Sequence, residues 1–204
     1  MRCLIVHCHP DPESFNAALF RRVADVLGHS GNDTRCVDLY GEGFDPVLSR
    51  EERQAYLSDP GLIEARVQAH VDALRWAEHL VFVYPSWFYG PPAMLKGWLE
   101  RVWLPGVAFL PPPVKGRPAV PGLRHVRRLT VVTTGGAPWW WLKLMGDPGR
   151  KLFTRGLRAL MARDCAVTWL QLHNMNNVTL AERQAFLSKV GRRLERMSVE
   201  GSST

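Results

Sequence analysis

The 204-residue chain predicts an α/β fold built on a parallel sheet, and three observations carry that reading. Short apolar runs alternate with longer segments of helical periodicity, which is the pattern of strands covered on both faces by helices. Three of those runs, at 3–6, 80–83 and 129–132, each stop in a loop rich in hydroxyls, aromatics or glycine, at 9–16, 84–90 and 133–136. Hydrophobic residues make up 46% and charged residues 22%, an ordinary globular balance. The length suits one domain with a sizeable core.

The elements follow in order. Residues 2–8 read as a buried strand. Residues 14–28 read as a helix, because Phe15, Leu19, Arg22, Val23, Val26 and Leu27 recur at helical spacing, with Arg22 the one polar interruption, and Ser14 is placed to cap it. Residues 34–39 make a second strand. The polar stretch 40–63, with Gly41, Gly43, Pro46 and Pro60, reads as an excursion holding a short helix near 49–57. A helix over 64–77 leads into a strand at 79–84. Pro91 and Pro92 open the next helix, where proline in the first turn is favourable; it carries Met94, Leu95, Trp98, Leu99 and Val102. Six prolines between 105 and 123 predict a loop rather than a sheet element. Loops of that length in compact domains are often functional. A strand at 127–134, a helix near 149–162, a strand near 165–171 and a helix near 179–197 complete one domain over 1–197. Residues 198–204 read as a polar tail that frays.

The net charge of +7 favours an anionic ligand, a nucleic acid or an acidic surface without choosing among them. No compact Lys/Arg cluster interleaved with aromatics is present, so no nucleic-acid partner is expected. Four cysteines, at 3, 8, 36 and 165, show no CxxC and no metal-ligand spacing with histidine, so no metal is expected. Cys3 and Cys8 fall on or just past one strand and point to opposite faces, which disfavours a disulfide. Reduced thiols and a cytoplasmic setting are the expectation. The apolar start is too short for a signal peptide, and no apolar run approaches a membrane span.

The loops carry the chemistry. In an open α/β sheet, ligands bind where the carboxyl ends of strands meet their loops. In the first loop, Ser14, Phe15 and Asn16 offer a helix start with polar side chains, and His9 stands just past the strand, a set suited to a phosphate. Ser14 can equally serve as a plain cap and His9 can close a turn. Neither GxGxxG nor GxxxxGK[ST] is present, which disfavours a dinucleotide-binding Rossmann enzyme and a P-loop NTPase. In the second loop, Pro85, Ser86, Trp87, Phe88 and Tyr89 offer aromatic faces and backbone amides for a flat ring, or else core packing. In the third, Gly135 and Gly136 permit close backbone approach to a ligand, or mark a turn. Trp139, Trp140 and Trp141 cannot all be buried by one face of one element, so a pocket wall or an interface is expected in preference to membrane contact.

Several of these segments together resemble the flavodoxin-fold NAD(P)H:quinone oxidoreductases, the DT-diaphorase-like family. The resemblance rests on His9 with Ser14-Phe15-Asn16, on the block from Met94 to Val102 that contains Lys96-Gly97-Trp98 and Glu100-Arg101, and on Thr133-Thr134-Gly135-Gly136. The stretch from Asp38 to Pro46 is also similar to that family. The resemblance implies a flavodoxin-like five-stranded parallel sheet, order 2-1-3-4-5, with helices on both faces. It implies a homodimeric flavoprotein that takes hydride from NAD(P)H and passes it to a quinone or similar acceptor. FAD is the implied cofactor, with FMN as the alternative. Carried over by motif, His9, Ser14, Phe15, Asn16 and Ala18 would hold the phosphate tail, and Pro85, Ser86, Trp87, Phe88 and Tyr89 would flank the ring. Thr133, Thr134, Gly135 and Gly136 would meet its polar edge, with Phe88, Gly135 and Gly136 closest to the chemistry. Glu100 and Arg183 would lie near an adenosine, Trp139 would line the acceptor pocket, and Phe109 would cover the acceptor pocket of the partner subunit.

The chain also departs from that family. Where members carry a Tyr and a His after the diglycine, this sequence has Trp139 and Met145. Neither side chain can relay a proton, so backbone amides at Gly135 and Gly136 would carry more of the charge stabilisation. A second reading is a regulatory flavoprotein subunit of a potassium-efflux system, with or without turnover. A one-electron flavodoxin carrier is disfavoured by the basic charge and by His9-Pro10-Asp11-Pro12 in the first loop.

Overall fold

The structure is a computed structural model and describes residues 1–201. The chain begins β1 (Arg2–His7), α1 (Phe15–His29), β2 (Asp33–Asp38), α2 (Arg50–Ala55), α3 (Pro60–Arg66), α4 (Gln68–Trp76) and β3 (His79–Ser86). It continues α5 (Ala93–Val102), β4 (Phe109–Leu110), β5 (Val120–Pro121), β6 (Arg128–Gly135), α6 (Trp139–Leu144), α7 (Pro148–Lys151), β7 (Ala166–Leu172) and α8 (Leu180–Gly201). Five strands form a parallel sheet in the order β2-β1-β3-β6-β7. The labels β4 and β5 belong to a separate antiparallel ribbon inside the proline-rich segment. The order therefore differs by label from 2-1-3-4-5, while the five sheet strands themselves follow the expected succession.

Side-chain alternation along the strands builds two cores. Leu4, Val6, Leu80, Phe82, Tyr84, Leu129 and Val131 face one layer, packed with Ile63, Val71, Leu95, Trp98 and Phe153. Cys3, Ile5, Val81, Val83 and Val132 face the other, packed with Leu19, Val23, Phe186, Val190 and Leu194 of α1 and α8. All four cysteines are free, and Cys3 and Cys8 belong to opposite layers. Among the described residues no helix is long and apolar enough to cross a membrane. Among them, too, no group of three or more His, Cys, Asp or Glu is placed to hold a metal ion.

Several elements differ from the sequence reading. The expected helix over 64–77 is two helices parted at Val67, whose φ of -127° breaks the α geometry, and α3 begins early because Pro60 occupies its first turn. The segment 105–123 is not wholly loop: Phe109 and Leu110 pair with Pro121 and Val120. Proline is tolerated in so short a ribbon because no central ladder needs its N–H. Near 149–162 a four-residue α7 passes into a π-turn at Leu152–Leu157 and a 3-10 turn at Arg158–Leu160. Gly149 and Gly156 weaken any regular helix there. Strands β3 and β6 run on to Ser86 and Gly135, into what read as loops. Helix α8 continues to Gly201, past 197; residues 202–204 of the expected tail lie outside the described residues.

Candidate active site

The carboxyl ends of β1, β3 and β6 open into one cleft with two lobes. The larger, about 460 Å³, is lined by His9, Ser14, Phe15, Asn16, Pro85, Ser86, Trp87, Phe88, Thr134, Gly135, Gly136, Met175 and Asn176. The smaller, about 270 Å³, shares Ser86, Phe88, Gly135 and Gly136 and adds Tyr89, Ala137, Leu142 and Gln171. The three loops singled out in the sequence thus meet at one place, as parallel sheets require of loops on adjacent strands.

The first loop presents free donors at the start of α1. Ser14 caps α1, its Oγ accepting from the Ala17 N–H at 3.1 Å, and the Ser14 carbonyl accepts from the Ala18 N–H at 3.1 Å. The first two helical N–H groups, of Phe15 and Asn16, have no intrahelical acceptor and lie at the positive end of the helix. Asn16 is 3% exposed, and apart from the neighbouring His7 ring its Oδ1 and Nδ2 meet no partner within the protein. A buried amide left unpaired on a cleft wall costs free energy unless a ligand satisfies it. His9 Nδ1 accepts from the Asp11 N–H at 3.0 Å, which leaves the proton of the neutral ring on Nε2 as a donor. Beneath the loop, His7 stacks on Phe20 at 4.6 Å with Asp38 Oδ1 3.3 Å from its Nδ1. Burial holds the His7 pKa below the ordinary imidazole value despite Asp38.

The second loop is a tight reversal. Trp87 and Gly90 exchange two backbone hydrogen bonds of 3.0 Å, and the residues between them, Phe88 and Tyr89, have φ of 47° and 65°. Positive φ at both central positions is the type I′ geometry, which normally takes Asn-Gly. Here two aromatic residues hold it, and such backbone persists only where its surroundings impose it. Two contacts do so: Trp141 Nε1–H donates to the Tyr89 hydroxyl at 3.0 Å, and a Cβ on Gly149 would stand 2.5 Å from the Tyr89 carbonyl oxygen. The outcome is a Phe88 ring that is fully exposed at the cleft mouth.

The third loop is crowded from behind. A Cβ on Gly135 would lie 3.3 Å from Gln171 Nε2, and one on Gly136 would lie 3.2 Å from Asn176 Nδ2. The loop after β7 holds that arrangement through the Met175 N–H, which donates to the Gly135 carbonyl at 3.0 Å. Gln171, Met175 and Asn176 were missed in the sequence. The strand-end rule applied to the last strand, with its polar run from His173 to Asn177, would have found them.

Other expected residues lie elsewhere in the chain. Thr133 is fully buried beneath the cleft, with only Thr134 on its wall. Ala18 is half-buried one turn into α1 and off the cleft lining. Glu100 pairs with Lys96 and borders a separate pocket with Leu48, Arg53, Tyr56 and Leu57. Arg183 sits in the first turn of α8 with a buried, unpartnered Nε, also off the cleft. Within one chain Phe109 and Trp139 line neither lobe of the cleft. Phe109 packs partly on the core from the ribbon, and Trp139 faces outward beneath the Lys143 ammonium, 4.7 Å from its ring.

Comparison with known proteins agrees with this architecture. The family model described as flavodoxin-like fold matches residues 1–197. An uncharacterized NAD(P)H oxidoreductase of Haemophilus influenzae is 36% identical over 110 residues, covering 53% of this chain and 54% of that protein. The NAD(P)H dehydrogenase [quinone] 1 of Cavia porcellus is 32% identical over 123 residues, covering 53% of this chain and 45% of that protein. The chain thus spans about half the length of these curated relatives. The crystal structure of Smu.1420 from Streptococcus mutans superposes with a TM-score of 0.83 at 30% identity, covering 96% of this chain and all of that one. On its sequence, its sheet and its strand-end cleft, the chain belongs to the family of proteins with the flavodoxin-like fold.

Proposed function

We propose that the protein is a flavin-dependent oxidoreductase that moves a hydride from NAD(P)H, through FAD, to a quinone or similar flat, electron-poor acceptor. The observation that carries this reading is the single cleft that joins an anion cradle at α1 to an aromatic-walled slot over a diglycine. The relatives named NAD(P)H oxidoreductase and NAD(P)H dehydrogenase [quinone] support it. A bound flavin supplies two-electron transfer at its ring. The N–H groups of Phe15 and Asn16, with His9 Nε2, hold the phosphate tail. Asn16, buried beside His7, completes its hydrogen bonds on the same tail. Pro85, Ser86, Trp87, Phe88 and Tyr89 flank the ring, and Gly135 and Gly136 let backbone approach its polar edge. Trp87 and Phe88 exclude water above it and receive reductant and acceptor in turn.

FAD is preferred and FMN is the alternative. The Glu100 pocket shares no lining residue with the cleft, which favours an adenosine reaching it on a second copy of the chain. That fits a two-fold homodimer, in which Phe109 and the exposed Trp139 and Trp140 find cover. The same exposed tryptophans favour, as a second reading, a regulatory subunit of a potassium-efflux system that docks on another protein. A cytoplasmic location suits the four free thiols. The test is the absorption spectrum of the purified protein, with the cofactor identified after heat release, followed by steady-state kinetics with NADH or NADPH and a quinone. A flavin spectrum and ping-pong kinetics are expected. A protein that takes up neither flavin overturns the reading.

A further inference from the structure

Gln171 is a cleft-wall residue that the flavin reading leaves without a task. It lies near the end of β7, two residues beyond Trp169 and therefore on the same face of the strand. The Trp169 Nε1–H donates to Gln171 Oε1 at 2.9 Å. An indole N–H can only donate, so the amide atom facing it is the oxygen. The amide nitrogen is thereby turned away from Trp169, and it reaches to within 3.3 Å of the point a Cβ on Gly135 would occupy. Gln171 lines the smaller lobe, whose wall contains no Lys, Arg, His, Asp or Glu. The other polar side chains there are Ser86 and Tyr89, and the Tyr89 hydroxyl is engaged by Trp141. Trp139 and Met145, which follow the diglycine in sequence, do not line the lobe. Within the smaller lobe a side-chain donor of fixed direction thus stands beside the diglycine, with no Lys, Arg or His in the wall.

We propose that Gln171 donates a hydrogen bond from Nε2 to the polar edge of the flavin ring and so sets its reduction potential. The inference rests on flavin binding in the cleft as proposed above. Reduction makes that edge more electron-rich, so a fixed donor favours the reduced form over the oxidised one. An amide does not titrate, so this contribution holds across the pH range. Trp169 acts as a positioning residue, through the oxygen it pins.

The test loads FAD into the wild-type protein and into Gln171→Leu, Gln171→Glu and Trp169→Phe. It measures the midpoint potential of the bound flavin against redox dyes and the dissociation constant of the oxidised form. A lost bond to a charged partner changes the preference for the reduced form by on the order of tenfold. In a two-electron couple that is about 30 mV. Gln171→Leu should lower the potential by about that amount, with the oxidised dissociation constant little changed. Gln171→Glu should lower it further by placing a carboxylate at the edge. Trp169→Phe should lower it less, because the amide is present but free to turn. Unchanged potentials in Gln171→Leu and Trp169→Phe, with flavin bound, would overturn the inference and leave the flavin reading standing. Loss of flavin from Gln171→Leu beside an unchanged potential in Trp169→Phe would also overturn it, since Gln171 would then only pack. A wild-type protein that binds no flavin would remove both ideas together.

Discussion

The reversal at Phe88 and Tyr89 allows a test that separates backbone strain from the loss of the ring. Phe88 holds φ of 47° while its ring is fully exposed, so in the single chain the ring contributes no burial to offset the backbone. A non-glycine residue in the left-handed region costs about 1–2 kcal/mol, which glycine avoids. Glycine gives back about 0.4–1 kcal/mol through the larger entropy of its unfolded chain. Phe88→Gly should therefore be more stable than Phe88→Ala by about 0.5–1 kcal/mol. The two variants lack the same ring, so their difference isolates the backbone even if a partner chain covers Phe88. Both should lose turnover, because the aromatic wall over the cleft is gone from each. The assay is urea denaturation of the flavin-free proteins, with quinone reduction measured on the reloaded ones. If the alanine variant were as stable as the glycine variant, or more so, the left-handed backbone at 88 would not exist in solution. The account of a strained turn would then fall.

Four further outcomes follow from named contacts. Gly149→Ala places a Cβ about where the Tyr89 carbonyl stands, 2.5 Å away, so it should cost about 1–3 kcal/mol in denaturation and weaken flavin affinity by shifting the turn. Arg101 and Glu52 form a buried pair at 2.5 Å between α5 and α2, and Arg101→Met should cost about 1.5–3 kcal/mol, the loss of a charged hydrogen bond, because Glu52 keeps the Ser49 N–H and the more distant Arg66. Gly136→Val should weaken flavin binding and turnover together, whereas Met145→Ala should change turnover far less; equal losses with flavin still bound would refute the assignment of the diglycine. His79 is buried against Thr130, and burial with the nearby Arg128 pushes its pKa down to about 3, below the value of 6.5 it has when unfolded. Between those values the unfolded chain binds the extra proton, so stability is complete above about pH 6.5 and falls as pH drops toward 3. Two pH units at about 1.4 kcal/mol each predict a loss of about 2–3 kcal/mol by pH 4.5, and His79→Gln should remove that share of the loss in a pH series of denaturation curves.

The sequence was most legible where a local pattern and a tertiary demand coincide. The strands at 3–6, 80–83 and, but for Thr130, 129–132 are apolar on successive residues because both faces of a parallel sheet are covered, and that pattern needs no partner to be read. Ser14 could be read as a cap because the donor it satisfies is three residues away. The break at Val67 and the ribbon at Phe109 and Val120 were not legible, because each depends on packing against chain remote in sequence.

The same division runs through the site. The sequence by itself determined that three strand-end loops meet at one edge, since the parallel arrangement sends such loops there. The positive φ at Phe88 and Tyr89 was decided by the tertiary structure, because nothing in a Phe-Tyr pair asks for it and Gly149 and Trp141 impose it from elsewhere. The direction of the Gln171 amide was decided the same way, through an indole two residues back on the same strand face. Composition and periodicity report what each residue prefers alone. The orientation of a buried amide or a strained turn is a property of its neighbours, and only the folded chain brings those neighbours together.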